Sequence, residues 1–311
     1  MAAPHVSGLA SLVMAANPDF SASDVKGCIV ASAVNDGEFV PGQPFSVINA
    51  PAAIECQTEV ELPPQVDIVI GMDLTASMGA VLAQARAEAE EMIQALEVAS
   101  PLTDFQFAVV SYEDYSGFVD SSVCAASSYA NTYGGADDEP FRIDEILTST
   151  PGTIEAALNG LTLGFGSDGP EAYTRALWEI GQSDTGATLG FRPDSLKLLV
   201  NFGDNIPHDP NLNEGIDTPT LANPDTGIDP GRNGVIDCGP DDIDLQDDAL
   251  PALVDAGVRL LHVDSSSGGQ FEPYWRQWAA ETGGAYTAIG GGDDRSLSEV
   301  VIELLQLIPD P

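Results

Sequence analysis

The chain from residue 66 onward alternates short apolar runs with segments of helical periodicity. Such alternation is typical of a doubly wound α/β domain of Rossmann type, in which a mostly parallel sheet is covered by helices on both faces. Residues 115–145 contain a further candidate edge strand. The pattern predicts strands at 66–72, 105–112, 197–203, 258–263 and 285–288, and helices at 80–98, 152–161, 171–182, 245–256, 271–282 and 296–307.

The first 60 residues have a different pattern. Residues 1–16 are too apolar on all sides for a surface helix, and we expect a helix that requires burial all round. A second helix follows, with Val25, Ile29 and Val30 on its apolar face. The paired prolines Pro63 and Pro64 favour extended backbone and indicate a linker. We therefore place an N-terminal region at 1–58, a linker at 59–65 and the α/β domain at 66–308, with an acidic insertion at 205–248.

Composition excludes some classes of partner. The 311 residues include 49 acidic and 10 basic ones, for a net charge of -39, whereas nucleic acid binding requires clustered cations. Cations, basic proteins or a salty medium fit this charge better. No apolar run approaches the roughly 18 residues of a membrane span.

The cysteines suit an oxidising compartment. The chain has four, an even number, and no C-x-x-C pair that would indicate a structural zinc site. Three pairings are open on the sequence alone. We favour pairing within each region, which joins Cys28 to Cys56 and Cys124 to Cys238.

Oxygen-bearing side chains follow two of the predicted strands and precede one helix. Strands of a parallel sheet collect ligands at their carboxyl ends, and oxygen donors favour Mg²⁺ or Ca²⁺, with Mn²⁺ also suitable. As alternatives, Ser77 could cap a helix and Asp204 could begin a turn. The predicted metal ligands are Asp73, Thr75, Ser77, Glu171 and Asp204, with Asp168 nearby.

These motifs resemble the metal-ion-dependent adhesion site of von Willebrand factor type A domains, over roughly residues 64–308. Thr75 stands where the family usually has serine, and Asp168-Gly169-Pro170-Glu171 looks more like the variant found in integrin β subunits. Met78-Gly79-Ala80 stands where that variant carries an acidic pair for an adjacent ion. The resemblance implies a cation that accepts an acidic group from a protein partner.

The opening run Met1-Ala2-Ala3-Pro4-His5-Val6-Ser7-Gly8-Leu9-Ala10 resembles the segment after the nucleophile in subtilisin-like serine proteases. In that family the catalytic serine stands just before the position of Met1, and the catalytic aspartate and histidine lie further upstream. The resemblance implies a C-terminal remnant of a peptidase domain, without catalytic residues in this chain. We expect residues 1–55 to be poorly anchored.

Two loops allow competing interpretations. Asp229 to Pro240 partly resembles an EF-hand, although Gly231 and Pro240 replace oxygen ligands, and a solvated charged insertion is the alternative. The tyrosines of residues 113–139 are candidates for partner contact or for local packing. His208 and His262 are isolated in the sequence, and we assign them no ligand role.

The sequence therefore predicts an extracellular or cell-surface module for cation-dependent binding or adhesion. The alternative is a fragment of a secreted subtilisin-like endopeptidase whose type A domain holds substrate or cell surface.

Overall fold

A computed structural model describes residues 3–17, 25–26, 28–29, 34–40, 43–47, 50–54, 62–266, 268–289 and 295–308. The chain divides into two compact units, Met1–Val60 and Glu61–Pro311.

The described part of the first unit contains helical segments and one hairpin, and residues 25–26 and 28–29 of the predicted second helix are helical. Helix α1 spans Ala3–Ala16 and α2 spans Ala50–Ile54, while strands β1 (Val34–Val40) and β2 (Gln43–Val47) pair antiparallel. Leu9 and Val13 of α1 are buried in a small apolar cluster with Val25, Ile29 and Ala53. Leu12 on the opposite face is exposed. Much of the predicted second helix, and Cys56 of the predicted Cys28–Cys56 bridge, lie outside the described residues.

The second unit is built on a six-stranded sheet and a separate hairpin. The sheet comprises β3 (Gln65–Asp73), β4 (Asp104–Tyr112), β7 (Arg142–Thr148), β8 (Leu196–Gly203), β9 (Val258–Asp264) and β10 (Ala285–Ala288), and the hairpin comprises β5 (Gly117–Asp120) and β6 (Ala130–Gly134). Across the sheet the strands lie in the order β10-β9-β8-β3-β4-β7. All neighbouring strands run parallel except the edge strand β7, which pairs antiparallel with β4. This topology confirms the predicted α/β class with a mostly parallel sheet.

Helices connect the strands and cover the sheet. The longest packs the apolar side chains of residues 79–99 inward, as its spacing predicts. None of the described helices is both long enough and apolar enough to cross a bilayer. The helices are α3 (Gly79–Ala99), α4 (Pro151–Gly160), α5 (Tyr173–Gly181), α6 (Ser183–Leu189), α7 (Leu250–Ala256), α8 (Glu272–Glu281) and α9 (Leu297–Leu307).

The core forms because β3, β4, β8 and β9 present apolar residues to both faces of the sheet, as central parallel strands do. Trp275 and Trp278 are fully buried, as expected for core residues, and Trp178 packs at the edge of the same cluster. Tyr115 and Tyr133 are also buried, which supports local packing for these two tyrosines.

The register of the sheet sets the position of the candidate site. Met72 of β3 lies opposite Phe202 of β8. Asp73, the last residue of β3, and Asp204, which follows β8, therefore lie at the carboxyl ends of adjacent strands. Residues 204–248 form a long, largely irregular segment that begins at the carboxyl end of β8. The Cys124–Cys238 disulfide joins this segment to the β5–β6 hairpin. This bridge confirms the pairing predicted for the second region.

Candidate metal centre

Asp73 is held rigidly at the end of β3. Its Oδ1 accepts hydrogen bonds from the backbone N–H of Thr75 at 2.8 Å and from the Thr75 hydroxyl at 2.7 Å. Its Oδ2 accepts a hydrogen bond from the hydroxyl of Tyr173 at 2.5 Å. The residue is fully buried. Hydrogen bonds within the chain therefore orient the Asp73 carboxylate without a contribution from an ion.

Ser77 faces the metal motifs and does not cap a helix. It lies in a short 3-10 turn, Ala76–Met78, and neither this turn nor α3 receives a capping bond from a side chain. Its hydroxyl lies 3.4 Å from that of Thr75, and its proximity to Asp204 acts to lower the pKa of that carboxylate against the effect of burial. These contacts favour the ligand interpretation of Ser77 over the capping one.

Glu171 reaches the same place from the loop before α5. Its backbone N–H donates to the carbonyl of Ile206 at 2.9 Å, which joins this loop to the segment after β8. Gly166 has φ +52°, and a Cβ there would lie 2.8 Å from Glu171 Oε1 and 3.1 Å from Thr75 Cγ2. The carboxylate of Glu171 thus lies beside the first motif, and only glycine leaves room for it.

Two carboxylate oxygens at this site are buried and lack partners. Glu171 Oε2 and Asp204 Oδ1 receive no hydrogen bond from any residue that the structure describes. Buried polar atoms are nearly always satisfied, and an unsatisfied one needs an explanation such as a bound ion. These two oxygens and the hydroxyls of Thr75 and Ser77 form an all-oxygen donor set of the kind that Mg²⁺, Ca²⁺ or Mn²⁺ accepts.

The raised pKa values of three carboxyl groups at this site also favour a bound cation. Burial, reinforced by the charges of neighbouring aspartates, raises the pKa of Glu171 to about 12. Burial likewise raises the pKa of Asp73 to about 7, against the hydrogen bonds from Tyr173 and Thr75, and raises the pKa of Asp204. A divalent cation among these groups would favour their ionised forms and remove the repulsion. The residues therefore fit the predicted ion.

Asp168, predicted to lie near these ligands, belongs to a second cluster. One oxygen of Asp168, one of Asp114 and a ring nitrogen of His208 all lie within 4.8 Å of one another. Burial raises the pKa of Asp168 to about 6. The interpretation of His208 as an isolated residue is wrong, because its Nε2 lies 3.0 Å from Asp114 Oδ1.

The predictions from sequence include no role in this region for Tyr173 or Asp114, and no ligand role for His208. Asp114 carried a usable signal, because it follows the carboxyl end of β4, as Asp73 and Asp204 follow the ends of β3 and β8. Tyr173 had none, since its side chain is simply one more apolar position of helix α5.

Asp229, the first position of the EF-hand-like loop, is already hydrogen-bonded within the chain. Asp229 is fully buried and accepts hydrogen bonds from the Tyr115 hydroxyl at 2.6 Å and from the backbone N–H groups of Gly231 and Arg175. Its oxygens therefore hold the insertion against the β4–β5 loop and helix α5. Together with Gly231 and Pro240 in place of two oxygen-ligand residues, these contacts favour a structural role for Asp229 over calcium ligation.

An open cleft adjoins the candidate ligands. Its lining is mostly polar, with Phe271 as the large apolar residue. The cleft is bounded by Gly169, Asp204, Asn205, Ser265, Ser266, Gln270 and Phe271.

Comparison with protein families gives a match within the N-terminal unit. The model of the Subtilase family matches residues 1–50, so this stretch is similar to that peptidase family. No curated protein matches the chain.

Proposed function

We propose that the chain is an extracellular module that binds a protein partner through a divalent cation held by Asp73, Thr75, Ser77, Glu171 and Asp204. The observation that carries this proposal is the convergence of three separate segments at the carboxyl ends of β3 and β8. There, Glu171 Oε2 and Asp204 Oδ1 are buried without a hydrogen-bond partner in the described part of the chain.

The fold and the order of the motifs support a resemblance to von Willebrand factor type A domains. The motifs follow β3, precede α5 and follow β8, which is the order that the resemblance implies. The support comes from these motifs and the parallel sheet, since the family match ends at residue 50.

The chemistry of the site would leave the ion able to accept another ligand. Thr75 and Ser77 contribute neutral hydroxyls, so the charge of a divalent ion is only partly compensated. A carboxylate from a partner can then complete the coordination. The cleft beside Asp204 gives room for the residues that flank such a carboxylate.

A peptide display library tests this proposal directly. The full chain is immobilised in Mg²⁺, the library is applied, and bound peptides are eluted with EDTA. We expect enrichment of Asp and Glu among the eluted peptides, with none on an Asp204→Ala matrix treated identically. Elution of the same peptides from both matrices, or no enrichment of acidic residues, would contradict the proposal.

A second function has its own supporting observation. The subtilase match at residues 1–50 favours an origin within a secreted serine endopeptidase, in which the α/β unit would hold substrate or cell surface. Genomic sequence immediately upstream of the codon for Met1 tests it. An in-frame Gly-Thr-Ser followed upstream by the family's catalytic histidine and aspartate is expected, and their absence would count against this function.

A further inference from the structure

A second cluster of potential metal ligands lies beside the proposed centre. It consists of Asp114 from the loop after β4, Asp168 from the loop before α5, and His208 from the segment after β8. Asp114 and His208 are fully buried. Each comes from a different segment, so the cluster depends on the tertiary fold.

One ring nitrogen of His208, Nδ1, makes the kind of hydrogen bond that orients a metal-bound histidine. Its Nδ1 lies 2.8 Å from the carbonyl oxygen of Thr226, which accepts a hydrogen bond and therefore fixes the proton on Nδ1. The ring stacks on Tyr133 with centroids 3.7 Å apart, which fixes its plane. Metal-bound histidines usually donate their other ring N–H to a carbonyl or carboxylate in this way. Nε2 lies 3.0 Å from Asp114 Oδ1 and shares a proton with it, and a bound ion would take the place of that proton.

The aspartates are oriented in the same manner. The Tyr129 hydroxyl donates to Asp168 Oδ2 at 2.8 Å, and the backbone N–H of Tyr115 donates to Asp114 Oδ1 at 2.7 Å. The remaining oxygens, Asp168 Oδ1 and Asp114 Oδ2, are buried without a partner in the described part of the chain. Asp168 thus keeps Oδ1 for a ligand. Asp114 keeps Oδ2, while its Oδ1 lies 3.0 Å from His208 Nε2.

We infer that Asp114, Asp168 and His208 form a second cation site, for a transition-metal ion such as Zn²⁺ or Mn²⁺. Imidazole nitrogen is a ligand that Zn²⁺ accepts readily and the two carboxylates suit Mn²⁺, whereas Mg²⁺ and Ca²⁺ prefer oxygen alone. Two ligands that each lie about 2.1 Å from one ion are themselves about 3 to 4 Å apart, so the cluster needs to contract by only about 1 Å. This site differs from the centre at Asp73 and Asp204 in its nitrogen donor.

Mn²⁺ alone is the probe for the test, because pulsed electron paramagnetic resonance detects a ¹⁴N nucleus bound to it. The full chain is stripped with EDTA, dialysed and titrated with Mn²⁺. We expect two ions per chain and a directly coordinated ¹⁴N. His208→Gln should bind one ion fewer and lose the nitrogen signal, whereas Asp204→Ala should keep the signal. His5→Gln, a matched control at another of the three histidines, should also keep it.

The possible outcomes separate the two sites. One bound ion with a nitrogen signal would support this inference and contradict the centre at Asp204. One bound ion without nitrogen would overturn the inference and leave His208 as a protonated partner of Asp114. If circular dichroism shows that His208→Gln does not fold, the anomalous difference map of a wild-type crystal soaked in Mn²⁺ decides. A peak about 2 Å from His208 Nε2 is expected, and its absence would overturn the inference.

Discussion

At the scale of single residues, the hydroxyl of Tyr173 connects two of the three metal motifs. It donates to Asp73 Oδ2 and accepts hydrogen bonds from the backbone N–H groups of Asp204 at 3.1 Å and Asn205 at 3.3 Å. One oxygen atom thereby fixes the end of β3 relative to the end of β8. Outer contacts of this kind orient ligands without touching the ion.

Replacing Tyr173 by Phe should weaken metal binding while the fold persists. We expect an affinity loss of about 10- to 100-fold, because Asp73 Oδ2 loses its donor and only the two bonds from Thr75 to Oδ1 remain. Titration of the full chain with Mn²⁺, followed by calorimetry, measures the change.

Tyr112→Phe is the matched control for this change. Tyr112 is equally buried and its ring centroid lies 5.1 Å from that of Tyr173, but its hydroxyl donates to Asn201 at 2.8 Å. Its removal should cost stability and leave Mn²⁺ affinity within about twofold, since an isolated hydrogen bond contributes only about 1 kcal/mol. Equal losses of affinity in both variants would show that Tyr173 acts through general packing.

At the scale of elements, an ion-pair network attaches the acidic insertion to helices α5 and α6. Glu179 on α5 accepts hydrogen bonds from Arg175 and Arg232 at 2.8 Å and from the Thr185 hydroxyl at 2.9 Å. Burial acts to raise the pKa of Glu179, but the hydrogen bond from Arg232 and the charge of Arg175 outweigh it and hold that pKa below its usual value.

This network predicts a pH-dependent contribution to stability. Because the pKa of Glu179 is lower in the folded state, its stabilisation is complete above the unfolded pKa near 4.5 and is lost as the pH falls through the folded value. Glu179→Gln should lower the free energy of unfolding by about 2 kcal/mol at pH 7. Urea denaturation should show the difference from wild type shrinking below about pH 4.5.

An exposed pair provides the control. Glu272 and Arg276 form an ion pair on α8 with both side chains about half exposed. Glu272→Gln should cost less than about 1 kcal/mol at pH 7. A loss for Glu179→Gln that is no larger, or one that grows as the pH falls, would rule out the proposed role of the network.

The Cys124–Cys238 bridge should anchor the insertion to the β5–β6 hairpin. It closes a separation of 114 residues, so its removal frees many conformations of the unfolded chain. The double variant Cys124→Ser/Cys238→Ser should lose about 2 to 4 kcal/mol in chemical denaturation. Hydrogen exchange should accelerate first within residues 205–248. Unchanged exchange there would mean that hydrogen bonds such as those of Asp229 anchor the segment alone.

The sequence predicted the elements of the sheet better than the contacts between its loops. The apolar run at 66–72 gave β3 to within one residue at each end, because a buried parallel strand must be apolar on both faces. Helix α6, with the sequence SDTGATL, was missed because it carries no apolar periodicity. The contact between His208 and Asp114 spans 94 residues. It depends on the path of a loop without periodic pattern, which local sequence rules do not describe.

At the scale of the whole molecule, the bound ion should contribute to the stability of the fold. A ligand that binds only the folded state stabilises it by about 2.7 kcal/mol at 100 times its Kd. The melting temperature of the wild type should therefore fall when EDTA replaces Mg²⁺ or Ca²⁺. Asp73→Ala should abolish that difference. Equal wild-type melting curves with and without the ions would contradict the proposed site.

The position of the bound ion can be located by anomalous X-ray scattering. A crystal of the full chain soaked in Mn²⁺ should give an anomalous peak within about 2.5 Å of oxygens from Ser77, Glu171 and Asp204. A peak there would place the proposed ion among the three converging segments. A well-ordered map with no peak at the carboxyl ends of β3 and β8, or with these side chains directed away from one another, would contradict the proposed metal centre.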